Sequence, residues 1–390
     1  MNSEKESERM PWESKTVEKL REEFVTAAKE STNFSSLCRE FHITRKTGYK
    51  WLERANRGKT MSDESRAPHH IPTKTPPEIE TKILRLRQEN PAWGAKKLRN
   101  VLETDGVENL PCVRTINNIL ERNGLISEEQ SRAHTPYTRF EKDSCNEMWQ
   151  TDFKGEFRME DGRYCYPLNI LDDHSRFLLA TKPSLCTGNL VKDVFERTFY
   201  EFGMPYSVLC DHGGEFAGFN GGYTQFEKWL MDHDVLPVHG RVRHPQTQGK
   251  VERFHRTMKE ELLNHTSIRD IENAEIVFRE WREKYNSVRP HEALGMKRPA
   301  QVYHRSEREY TPKRQVYEYD ESFHIIKVNS WGYVRFNGFQ IYLSETMIGE
   351  YIQFRPNPHR DSFFACYRNY RIAEFDAISG ELLSRFIAKL

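Results

Sequence analysis

EMWQTDFKGEF (residues 147–157) and RYCYPLNILDD (residues 163–173) are the stretches on which the fold reading turns. Each is a run of apolar and aromatic residues of strand length, and acids stand in or at the end of the run. SRFLLATKPS (175–184) reads as a further strand. Over 188–202, Leu190, Val194, Phe195 and Phe199 recur at helical spacing. A short strand over 206–210 ends at Asp211, 223–234 reads as helix, and VLPVHG (235–240) is a fifth strand. A long helix begins near Lys250, and another covers 270–289. Strands followed by alternating helix and strand predict an α/β layer domain.

Outward from this block the chain changes character. Before it lie two helical segments. In residues 35–54, a short helix, a turn at His42-Ile43-Thr44 with Thr44 as N-cap, and a second helix make a helix-turn-helix pattern. Leu37, Phe41, Ile43, Trp51 and Leu52 supply a small core, with Val17, Leu20 and Phe24 from a preceding helix. Between Arg39 and Lys59 there are seven basic and two acidic residues. The second helix presents Arg45, Lys46, Thr47, Tyr49 and Lys50, a set suited to a major groove and its phosphates. A solvated helical hairpin is the plain alternative. After a polar linker over 60–75, Pro76-Pro77 opens a second three-helix unit, whose last helix leads with Arg114, Thr115 and Asn117. Beyond Tyr317 the chain is rich in Val, Ile, Tyr and Phe, has a turn signal at Asn337-Gly338, and reads as a small β-rich domain.

The whole-chain numbers are permissive. Lys and Arg total 59 against 58 acids among 390 residues, which excludes a simple polycationic DNA coat but not local basic tracks. Aromatics at 12% argue against wholesale disorder at a mean hydropathy of −0.82. No stretch has the roughly 18 unbroken apolar residues of a membrane span, and the first ten residues lack an apolar signal core, so a cytosolic or nucleoid protein with no membrane partner is expected. Seven scattered cysteines with no C-x-x-C pair speak against a disulfide framework and a zinc finger.

Three carboxylates occupy informative places: Asp152 in the first strand, Asp211 at the end of the fourth, and Glu252 in the first turn of the long helix. Strand ends and helix starts are where α/β folds build active sites. Hard oxygen ligands suit Mg²⁺ or Mn²⁺, and three that converge can hold two ions for phosphodiester chemistry. Each acid alone reads equally as a surface charge. Around Glu252, residues 239–259 carry six basic residues and one acid. Arg241, Arg243, Lys250, Arg253 and Arg256 are candidate DNA contacts there. The segment 241–249, RVRHPQTQG, is expected to be mobile without DNA and ordered on it. Asp172, Asp173 and Glu215 are secondary acids, read as structural, as surface charge or as neighbours of the site; His239 and His244 are candidate contacts to DNA or the scissile phosphate, with plain loop histidines as the alternative; Trp149 is read as core.

WQTDFKGEF, ILDDHSRF, CDHGGEF and HPQTQGKVERFHRT, in that order, resemble the motif blocks of insertion-sequence DDE transposases of the retroviral-integrase superfamily. KYNSVRPHEALGMKRPAQVY resembles the segment after the last catalytic helix. The resemblance covers about residues 146–305. It implies a multidomain α/β protein: a ribonuclease-H-like catalytic core over 140–305, helix-turn-helix domains over 11–59 and 76–127, and a β-rich C-terminal domain over 317–390. It carries the catalytic and metal-binding triad onto Asp152, Asp211 and Glu252, with two Mg²⁺ or Mn²⁺ ions. The implied activity is binding of terminal inverted repeats in double-stranded DNA, cleavage at the ends, and transfer of the 3′-hydroxyl into target DNA by a homo-oligomeric synaptic complex. Two departures stand out: 40 residues separate Asp211 from Glu252, slightly more than usual, and His212 stands where Asn is common. The rival readings are a catalytically inactive DNA-binding regulator and a metal nuclease that cuts without joining.

Overall fold

The computed structural model describes residues 16–64, 75–126, 141–187, 190–211, 213–216, 218, 222–240 and 249–390. The chain divides into two compact units, residues 1–74 and 75–390.

In the first unit, α1 (Val17–Glu30), α2 (Phe34–Glu40) and α3 (Arg45–Asn56) enclose Phe24, Val25, Leu37, Cys38 and Trp51. Thr44 caps α3 as its sequence position predicts, its hydroxyl accepting from the Thr47 amide at 3.2 Å. The turn before it places His42 at φ 53°. Of the apolar residues at helical spacing in α1, Phe24 is buried, whereas Val17 and Leu20 are 61% and 41% exposed.

The second unit opens with α4 (Pro77–Glu89), α5 (Ala95–Thr104) and α6 (Val113–Arg122), packed around Ile83, Trp93, Leu98, Val101, Ile116, Ile119 and Leu120. Within each helix these residues recur at helical spacing, and Trp93 joins them from the intervening turn.

The α/β part follows. Its strands are β1 (Met148–Phe153), β2 (Phe157–Arg158), β3 (Tyr164–Cys165), β4 (Leu168–Asp172) and β5 (Leu178–Lys182). After α7 (Leu190–Phe202) come β6 (Ser207–Cys210), α8 (Gln225–Asp232) and β7 (Leu236–His239). The two strands expected over 147–157 and 163–173 are each broken in two. Pro167 has no amide to continue the ladder and serves only as an acceptor, for the Lys154 amide at 2.9 Å, so β2 and β3 turn off as a separate ribbon. The main sheet runs β5-β4-β1-β6-β7. Its β5, β4 and β1 are antiparallel, whereas β6 and β7 run parallel to β1. This mixed order fits a ribonuclease-H-like core.

Against the sheet lie α9 (Gly249–Met258), which passes into a π-helical turn at Lys259–Leu263, then α10 (Ile271–Ser287) and α11 (Pro299–Val302). Phe254, Met258 and Leu262 pack with Phe278, Trp281 and Tyr285 of α10 and with Leu171 and Leu178 of the sheet.

The C-terminal strands are β8 (His324–Lys327), β9 (Tyr333–Phe336), β10 (Phe339–Tyr342), β11 (Tyr351–Pro356), β12 (Ser362–Tyr367), β13 (Tyr370–Asp376) and β14 (Leu382–Lys389). Asn337 and Gly338 both adopt positive φ in the β9–β10 hairpin, the turn that this pair predicts. The five-stranded sheet β14-β13-β12-β11-β8 does not stand apart. Its core takes in Tyr223 and Met231, and Leu236 packs on the edge of it. Asp232 of α8 accepts the Tyr367 hydroxyl at 2.6 Å and pairs with Arg314 and Arg368. β14 lies alongside β7, each in its own sheet. No helix among the described residues is long and apolar enough to cross a membrane.

Candidate active site

Sheet register brings the first two acids together. Gln150 of β1 pairs in parallel with Leu209 of β6, and two residues further along each chain stand Asp152 and Asp211. The third acid comes from α9, whose backbone is held at several points. Val251 and Phe254 are buried, and Lys250 donates to Asp173 Oδ2 at 2.5 Å and to its carbonyl at 3.1 Å. Glu252 lies between these anchors with its side chain exposed.

The electrostatics record the convergence. Burial, then the charge of Asp211, then the weaker effect of Glu252 push the Asp152 pKa from 3.8 to about 7. Among the described residues no Lys or Arg is within ion-pair distance of Asp152, Asp211 or Glu252. Asp211 Oδ1 takes the Gly213 amide at 2.9 Å. The donor set is all oxygen and, among the described residues, no cation pairs with it, which fits Mg²⁺ or Mn²⁺. Among the described residues no three His, Cys, Asp or Glu side chains stand in a ready-made ligand cluster. Of the two neighbouring acids, Asp211 acts more strongly on Asp152 and Glu252 more weakly.

Several surrounding groups have structural partners. Asp172 accepts from the Asn146 amide and from Ser175 N and Oγ, all within 2.8 Å. Asp173 takes Gln150 Nε2, the Lys142 amide and Lys250. Both lie at the end of β4 away from Asp152, since Asp172 pairs with Trp149 in the antiparallel register. Lys250, a candidate phosphate contact, pairs here with fully buried Asp173 at the helix start. His239 bridges Glu227 Oε1 at 2.8 Å and the Asp211 carbonyl at 3.2 Å. Burial opposes its charge, but the Glu227 hydrogen bond and charge outweigh this and raise its pKa. Glu215 stands over the same turn as Asp211, near Gly213, and Trp149 is fully buried.

Arg253 and Arg256 are exposed on α9. Arg241, Arg243, His244 and His212 lie outside the described residues, as does the rest of 241–248. In the first helical unit Arg45, Lys46, Tyr49 and Lys50 are exposed, Thr47 is half-buried, and Tyr49 stacks on Phe34. In the second, Arg114 and Asn117 are exposed, whereas half-buried Thr115 contacts Cys112 Sγ at 3.3 Å.

Two features escaped the sequence reading. One is an open trough of about 450 Å³ lined by Lys154, Glu156, Arg158, Glu160, Lys259 and Thr266 among others, with none of the three acids in its wall. Burial and the neighbouring charge of Lys259 lower the Lys154 pKa. Its signal was the position of Lys154, two residues past Asp152. The other is His255, whose Nδ1 lies 3.8 Å from Asp152 Oδ2 and whose pKa falls to about 4 through burial and the charge of Lys154. It stands three residues after Glu252, one turn along α9.

Residues 143–245 and 233–299 match the family described as Integrase core domain, and residues 47–120 match a Homeodomain-like domain. An uncharacterized 39.2 kDa protein of insertion element IS476 from Xanthomonas euvesicatoria is 23% identical over 239 residues, covering 59% of this chain and 66% of that protein. An uncharacterized 31.7 kDa protein of insertion element IS407 from Burkholderia multivorans is also 23% identical, covering 57% of this chain and 79% of its own length. Among solved structures, the HTLV-2 integrase catalytic core domain in complex with magnesium aligns at 15% identity and a TM-score of 0.33, over 42% of this chain and 99% of that one.

Proposed function

The chain belongs with the insertion-element transposases of the retroviral-integrase superfamily, its integrase core lying over residues 143–299, and from that premise we propose that it is a DNA transposase. It binds the terminal inverted repeats of its element, cleaves at the ends and joins the exposed 3′-hydroxyl to target DNA. The observation that supports the reading is the charge of Asp211 and, more weakly, of Glu252 acting on Asp152, with β1 and β6 paired in parallel two residues before the two aspartates.

Asp152, Asp211 and Glu252 would hold the divalent ions, two of them in a loaded site. Such ions supply an activated attacking oxygen and a stabilised leaving oxygen. The remaining work belongs to the chain. Lys154 and Lys259 offer positive charge to the DNA backbone along the trough, and Arg253 and Arg256 extend that track on α9. In the first step water attacks the end phosphodiester and a strand with a free 3′-hydroxyl is released. In the second that hydroxyl attacks a target phosphodiester and displaces the 3′-oxygen of the target strand. The helical units, through α3 and α6, select the ends. Two ends must be held for joining, so the working form is a homo-oligomer on DNA.

Strand-transfer assays on labelled terminal repeats test the whole reading. The wild type is expected to cleave and join. Asp152→Asn, Asp211→Asn and Glu252→Gln are each expected to abolish both steps while end binding persists. Cutting without joining would make the protein a nuclease, and end binding with neither step would make it a regulator. Near-wild-type joining by any one variant would strike that residue from the site.

A further inference from the structure

Asn169 of β4 is fully buried and directly opposite Asp152 in the β1–β4 register. The orientation of its amide is fixed by its neighbours. Nδ2 lies 3.3 Å from the carbonyl oxygen of Pro167, a group that only accepts, and Oδ1 takes the Thr181 hydroxyl at 2.8 Å. The same Nδ2 lies 3.2 Å from Nε2 of His255. Because the amide nitrogen can only donate, Nε2 must accept. The imidazole is therefore neutral, and its one proton sits on Nδ1. That nitrogen is the one facing Asp152 Oδ2 at 3.8 Å.

We propose that His255 is a positioning residue for Asp152: Asn169 locks it in the Nδ1–H tautomer, and Nδ1–H steers one carboxylate oxygen so that the other is presented to a metal ion. The chain of contacts runs Thr181, Asn169, His255, Asp152, across three strands and the catalytic helix. The 3.8 Å separation is longer than a hydrogen bond, as catalytic contacts often are before a site is loaded. A neutral donor suits the task better than Lys or Arg, since a cation would cancel the charge the ion needs, whereas an imidazole N–H restricts the carboxylate rotamer and leaves its charge in place. The proposal rests on the reading of Asp152 as a metal ligand.

Two substitutions separate the two ring nitrogens. His255→Asn keeps a donor where Nδ1 stands and loses the reach to Asn169. His255→Gln keeps an acceptor for Asn169 and loses the donor to Asp152. In the full-length chain, ¹⁵N spectra of labelled histidine, assigned through these variants, should show His255 with a protonated Nδ1 and an unprotonated Nε2. Mn²⁺ titration by calorimetry, and the Mg²⁺ concentration giving half-maximal end cleavage, should change by no more than about 3-fold in His255→Asn but rise about 10-fold or more in His255→Gln. A protonated Nε2, equal ion demand in both variants, or the reverse order would overturn the proposal. Asp152→Asn serves as the control: if it binds Mn²⁺ like the wild type, the metal-site reading fails and this proposal falls with it. If the wild type binds the ion but joins no DNA, the transposase reading fails, and the tautomer and titration still decide the role of His255.

Discussion

Asp152 holds a proton that an ordinary aspartate would release, and this has a thermodynamic sign. Its pKa in the folded chain is about 7 against 3.8 for the free side chain. The folded state therefore binds the proton more tightly than the unfolded one. The stability this contributes is fully present below about pH 4 and is lost as pH rises through about 7. In EDTA, thermal unfolding of the full chain is expected to show a contribution from this group that falls by a few kcal/mol across that window. Asp152→Asn should flatten that part of the pH profile, and Mg²⁺ should offset the loss at high pH. A wild-type profile indistinguishable from that of Asp152→Asn would contradict the electrostatic picture. Residue roles were legible in the sequence to different degrees. The three acids stand out because each falls at the end of a strand or the start of a helix. The partners of Lys250 and His255 do not, because each depends on a long-range contact with β4 or β1 that no local spacing encodes.

At the scale of elements the helices were the most readable. Thr44, Pro77 and the apolar periodicity of α6 mark them plainly, each through a local interaction. The break of β4 from β3 was missed although its cause, Pro167 with no amide hydrogen, is local, and the π turn after α9 has no comparable mark in the sequence. Helix α3 offers two tests. A Cβ on Gly48 would lie 2.8 Å from Cys38 Sγ, 2.9 Å from Phe24 Cζ and 3.0 Å from Phe34 Cζ. Gly48→Ala is thus expected to destabilise the first unit by about 1–3 kcal/mol, against a helix-propensity gain of about 1 kcal/mol. Urea unfolding followed by Trp51 fluorescence would read it, and a stabilised variant would show that α3 approaches α1 less closely. Lys46→Ala and Lys50→Ala remove exposed charges from the same helix. Each should weaken binding to terminal-repeat DNA and lower the slope of log affinity against log salt by about 1. An unchanged slope in fluorescence-anisotropy titrations would take α3 off the DNA.

Across the whole second unit, a charge cluster ties the α4–α6 helices to the catalytic region. Glu261, in the π turn, takes Arg289 Nε at 2.8 and 2.9 Å and Lys97 of α5 at 3.4 Å, and Lys284 lies over the ring of Trp93. The side chains of Lys97, Glu261 and Arg289 are each at least 85% buried. His291 is kept neutral by burial and by the charges of Arg289 and Lys97, and its Nε2 accepts from Arg289 at 3.0 Å. Glu261→Ala would leave two buried cations without their acid. It is expected to cost about 3–5 kcal/mol in chemical denaturation and to raise hydrogen exchange in α5. Unchanged exchange there would mean that the helices dock by other contacts.

The β7–β14 neighbourhood also has a consequence for sheet continuity. Leu236 N reaches back to Tyr206 O and Gly240 N to Cys210 O, so the amide positions between them alternate, and residue 237 faces away from β6 toward the outer edge. That residue is Pro237, which has no hydrogen to offer. Two five-stranded sheets thus meet edge to edge with the donor missing at the seam, and they remain two sheets rather than one of ten strands. A backbone ladder there would make the C-terminal strands a rigid extension of the catalytic sheet. The two sheets are joined instead through side chains, Leu236 against the C-terminal core and Asp232 on Tyr367, Arg314 and Arg368.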